Sequence, residues 1–141
     1  MKKLILPVIL CGFLCCESAQ SSAPDACKLE FMQNEIALSA QNKEAYSMGD
    51  MGTFDGLKCE NGVATFEYTY QPKYSADLEK ISAETKKDAL NHMKSMMSAM
   101  FCNMPEFENY RKNNLIMRYH YSTTNVKNFY EVEISNKDCK K

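Results

Sequence analysis

The sequence predicts an α+β domain of two layers. An antiparallel sheet of about four strands is expected, covered on one face by helices in the order α-β-β-α-α-β-β and stapled by disulfides. Three observations carry this expectation. Apolar residues recur at helical spacing in two long segments. Three other segments alternate with a period of two. Four cysteines, Cys27, Cys59, Cys102 and Cys139, lie in the body of the chain beyond an apolar N-terminal run.

That run comes first. Lys2 and Lys3 precede Leu4 to Leu14, which is apolar apart from Pro7 and Gly12. It is too short to span a bilayer as a helix and reads as a bacterial export signal. Cys16 sits where a lipid anchor would be made, although Cys15 occupies the preceding position, where a small residue is usual. Glu17 follows it rather than the aspartate that commonly retains lipoproteins at the inner membrane, so a lipidated form is expected at the outer membrane. Cleavage by a plain leader peptidase would instead use Ala19 and Ser21 and leave Ser22 first, giving a soluble periplasmic protein. Residues 1–16 are thus assigned to an export signal and 17–26, polar and Ser/Ala-rich, to a linker. Residues 27–141 form a single globular domain.

Within the domain, Leu29, Met32, Ile36 and Ala40 define an amphipathic helix between Lys28 and Tyr46. Gly49, Gly52 and Gly56 punctuate the next stretch, and a short strand is expected around Gly56 to Glu60. Asn61-Gly62 is a hairpin turn signal. From Val63 to Gln71, Ala64, Phe66, Tyr68 and Tyr70 point one way and Val63, Thr65, Glu67 and Thr69 the other. Pro72 ends that strand. Ser75 or Ser82 caps a long helix running to about Cys102, with Ile81, Ala89, Met93, Met96, Met97 and Met100 as its apolar stripe. Pro105 opens a short helical turn to about Lys112. Two alternating strands come last, Leu115 to Ser122 and Phe129 to Ile134. Strands joined by short turns pair antiparallel.

Composition narrows the function classes. The formal charge is −1, and setting Lys2 and Lys3 aside leaves 15 basic against 18 acidic residues. No basic field remains to neutralise phosphates, which argues against nucleic acid. An even cysteine count in an exported chain favours two disulfides, with three pairings open. There is no CxxC and there are two histidines, so no zinc pattern is present. Neither GxSxG nor HExxH occurs, and paired cysteines leave no thiol nucleophile. The expectation is a non-enzymatic protein without a cofactor. His92 and Met96, four apart on one helix face, are a weak alternative for Cu(I). Packing in the core is the favoured role of the methionines, and an adaptable groove for a partner helix is the third. The aromatic residues Phe66, Tyr68, Tyr70, Tyr119, Tyr121 and Tyr130 cluster across the sheet as core or interface.

From residue 60 to Cys139 the layout is a strand, a helix ending in Ser98-Ala99-Met100-Phe101-Cys102-Asn103, and a short segment to Asn114. Next comes a strand with Arg118-Tyr119-His120-Tyr121, then a last strand Tyr130-Glu131-Val132-Glu133-Ile134 leading to Cys139. This layout resembles the small outer-membrane pilotin lipoproteins of type II secretion, in their α/β (beta-type) class. The resemblance implies a Cys102–Cys139 disulfide and, with it, Cys27–Cys59, a pair outside the family pattern. It further implies a protein that binds a short C-terminal helix of the secretin and guides that subunit to the outer membrane. Two other readings fit a small exported α+β domain: an inhibitor or immunity protein, and a Cu(I)-binding periplasmic protein.

Overall fold

The computed structural model describes residues 25–140. Cys16, the export signal and most of the 17–26 linker lie outside the described residues.

After a single helical turn at Ala26–Lys28, α1 spans Glu30–Gln41. A further turn, Lys43–Tyr46, completes the region expected as one helix. Strand β1 covers Gly52–Glu60 and β2 covers Val63–Tyr70. Asn61 and Gly62 join them with φ of 51° and 77°. Two successive positive φ values match the right-handed strand twist of a tight hairpin, and Asn-Gly accommodates them at little steric cost.

Pro72 does more than end β2. It occupies the first turn of a separate helix, α2 (Pro72–Leu78), where its missing N–H costs nothing. Ser75 is therefore no cap. Its buried hydroxyl donates to the Tyr70 carbonyl at 3.1 Å and accepts the Thr124 N–H at 3.1 Å, fixing the end of β2 against a distant loop. Ser82 is the cap of α3 (Ala83–Asn103), accepting the Thr85 N–H at 3.1 Å. At the other end, the Arg111 guanidinium donates to the carbonyls of Phe101 and Met104, groups a helix terminus leaves without internal partners. A turn at Pro105–Phe107 leads into α4 (Glu108–Lys112), and β3 (Ile116–Ser122) and β4 (Tyr130–Ile134) complete the sheet.

The domain is α+β, with helices on one face of a four-stranded sheet ordered β1-β2-β3-β4. One feature differs from the expected antiparallel sheet. Strands β1–β2 and β3–β4 are antiparallel, but β2–β3 is parallel, from Val63 opposite Ile116 to Thr69 opposite Ser122. The cause is the long helical connection between them. It returns the chain to the end of the sheet where β2 began, as a crossover requires.

Register decides which side is buried. Leu57, Phe66, Tyr119 and Val132 lie side by side across the four strands, and Cys59, Ala64, Met117 and Ile134 form the next row. These face the helices. The opposite face carries Lys58, Glu67, Arg118, His120, Glu131 and Glu133. Helix α1 lies over β1 and α3 over β4. Met32, Phe101, Leu115, Met117 and Ile134 are almost fully buried at the centre. Disulfides join Cys27 to Cys59 and Cys102 to Cys139.

Candidate binding groove

Helix α3 sits over β4, and beside it the aromatic side chains of β2 and β3 are only partly covered. A groove of about 290 Å³ opens there. Tyr68, Tyr119 and Tyr121 line its floor, and Met93, Met96, Met97 and Met100 of α3 form its wall. Phe101 and Phe107 also line it.

The strand register builds the floor. Phe66 pairs with Tyr119 and Tyr68 with Tyr121 across the central strands. Their rings stack at 5.0 and 5.1 Å, each with 16° between planes. Offset stacks of this kind add about 1 kcal/mol each beyond their buried area. Desolvation pushes the Tyr68 phenol up to about 12 and raises Tyr119 and Tyr121 further, with neighbouring tyrosines contributing to both. All three are neutral at any physiological pH. Every fully buried side-chain nitrogen or oxygen among the described residues has a hydrogen-bond partner.

The wall divides the methionines into two groups. Leu90, Met93 and Met97 pack against the core, continuing to buried Phe101 at helical spacing. Met96 and Met100 do not. They are 54% and 43% exposed, which corrects the core role expected for the whole stripe. Residues 96 and 100 are one helical turn apart and lie outside the 93–97–101 row. That offset is the sequence signal separating rim from core.

The lining consists of Tyr, Met, Phe and Ile side chains and contains no acid, base or activated nucleophile. Chemically it can bury an apolar ligand with a few ring hydroxyls to orient it. His92, placed beside Met96 by its spacing, is exposed and does not line this groove. Among the described residues no group of three or more His, Cys, Asp or Glu side chains could hold a metal ion.

A second, polar cleft of about 600 Å³ lies on the open face of the sheet, with Asp55, Glu67, Thr69, His120 and Lys127 in its lining. His120 Nε2 is 2.9 Å from Glu131 and its Nδ1 is 4.0 Å from Glu67. Glu67 in turn takes Lys58 at 2.8 Å, and Arg118 Nε donates to Glu133 at 2.7 Å. Each pair joins neighbouring strands, so these charges form a cross-strand ladder.

The sequence matches no family model and no curated protein. Among solved structures the fold is similar to that of a candidate secreted protein from Pseudomonas aeruginosa. The TM-score is 0.58 at 10% identity, over 84% of this chain and 99% of that one. This likeness establishes a shared α+β fold. The two disulfides fit the oxidising setting of an exported protein.

Proposed function

We propose that this chain is a non-enzymatic exported binding protein of the pilotin type, which holds the C-terminal helix of a secretin and aids its delivery to the outer membrane. The observation that carries the reading is the apolar groove between α3 and the central strands, walled by methionines and floored by stacked tyrosines. An amphipathic helix presents its apolar side chains at i, i+3 or i+4, and i+7, the pattern such grooves accept. Exposed, unbranched methionines let the wall adapt to the ligand's shape. In this reading Cys16 carries the lipid, the 17–26 segment is the tether, and 27–141 is the receptor.

Fluorescence anisotropy with a labelled synthetic peptide, matching the C-terminal helix of a secretin from the same genome, tests it. The unmodified protein binds saturably. M96E/M100E weakens binding at least about tenfold, because each carboxylate must be desolvated on docking, while its melting temperature stays near that of the parent. No binding by the parent, or equal binding by the variant, refutes the reading. Intact mass of the protein from its native membrane tests the anchor. A diacyl or triacyl cysteine supports tethering, and a chain beginning near Ser22 replaces it with a soluble periplasmic form.

A further inference from the structure

We infer that Met96 and Met100 form an oxidation-sensitive modification site, and that converting them to sulfoxides closes the groove to apolar ligands. The inference rests on the groove reading above but concerns its chemistry, not its occupant. Three observations meet at these residues. Both residues are exposed, whereas Met32 and Met117 are only 0% and 2% exposed. Both line the groove. They stand one helical turn apart, so their side chains are neighbours on one face of α3.

The reagent class is a two-electron oxidant such as hydrogen peroxide. The methionine sulfur attacks the peroxide oxygen, an S–O bond forms and the O–O bond breaks. The departing hydroxide takes up the remaining proton and leaves as water. Sulfur is oxidised by two electrons and peroxide is reduced by the same two. The product is a polar, chiral sulfoxide that methionine sulfoxide reductases can restore. In the groove wall it places a strong acceptor where the lining offers no donor beyond the tyrosine hydroxyls. Docking an apolar ligand then requires that acceptor to be desolvated, which lowers affinity by about tenfold or more.

Limited peroxide treatment of the folded, disulfide-bonded protein tests this, with peptide mapping by mass and binding of 1-anilinonaphthalene-8-sulfonate, an aromatic sulfonate that reports apolar surface. Met51 is an internal control: it is 50% exposed but does not line the groove. Met96 and Met100 oxidise well before Met32 and Met117, and dye affinity falls about tenfold in step with them. M96L/M100L keeps its dye affinity after peroxide, while M51L loses it as the parent does. Oxidation that spreads evenly over all methionines overturns the site. Oxidation at Met96 and Met100 with unchanged dye binding overturns its consequence. Absence of dye binding before peroxide overturns the groove reading itself, and the peptide map still decides independently where oxidation falls.

Discussion

Removing one disulfide at a time should separate global stability from groove integrity. The Cys102–Cys139 bond closes a sequence separation of 37 residues and Cys27–Cys59 one of 32. Loop-closure entropy makes each worth about 4 kcal/mol at 25 °C, the logarithm leaving little difference between them. For a domain of this size each double replacement, C102A/C139A or C27A/C59A, lowers the melting temperature by roughly 15 °C. The local consequences differ. Cys102 anchors the C-terminal end of α3, whose Met93–Met100 segment is the groove wall. Cys27 anchors the turn before α1, which packs over β1. Hydrogen exchange therefore shows lost protection in the last turns of α3 for C102A/C139A and in α1 for C27A/C59A. Ligand binding weakens in the first variant and persists in the second wherever both are folded. Melting within about 3 °C of the parent, or one exchange pattern shared by both variants, would refute the reasoning.

Other perturbations draw on the same contacts. Phe101→Ala removes a ring that is 2% exposed and packed on Phe107, and costs about 3–5 kcal/mol in chemical denaturation. Gly52→Ala leaves an extended backbone unstrained but sets a methyl 2.5 Å from the Thr69 carbonyl oxygen, costing about 1–3 kcal/mol by the same assay. Burial alone would raise the Asp138 carboxyl, but the Ser135 N–H at 2.8 Å and Lys94 at 3.2 Å outweigh it and hold it below its ordinary 3.8. A depressed folded value gives stability that is present above the unfolded value and lost as pH falls through the folded one. Asp138→Asn accordingly costs about 1 kcal/mol near pH 7, and the cost shrinks as pH falls below the ordinary carboxylate range, measured by denaturation across that range.

Much of the fold is legible in the sequence because local chemistry and tertiary context agree. The Asn61-Gly62 turn, the alternation in β2, β3 and β4, and the Ser82 cap each require only neighbours in sequence. The start of β1 is not legible in this way. Expected near Gly56, it begins at Gly52, with a register shift between Phe54 and Gly56 that breaks the alternation marking a strand. Helix α2 is hidden because Pro72 signals both a strand end and a helix start. The parallel β2–β3 pair is set by where the helical connection delivers the chain, a long-range property that strand pattern does not encode. For the groove, the methionine stripe is visible, but which methionines are rim and which are core depends on the tilt of α3 over β4. The stacked floor likewise needs the β2–β3 register to bring Tyr68 to Tyr121.

The parallel pairing has a topological consequence. Each disulfide lies within one half of the molecule. Cys27–Cys59 joins the turn before α1 to the first hairpin, and Cys102–Cys139 joins α3 to the segment after the second. Neither bridge crosses the seam between β2 and β3. Ladder hydrogen bonds, the Phe66–Tyr119 and Tyr68–Tyr121 stacks and the Phe31–Tyr110 contact at 5.7 Å span it. Both sulfur bridges therefore leave this seam to noncovalent contacts, among them a single core that draws Met32 and Phe54 from one half and Phe101 and Leu115 from the other. The groove takes Tyr68 from the first half and the rest of its lining from the second, so an occupant resting on both Tyr68 and α3 would add one more noncovalent link across this line.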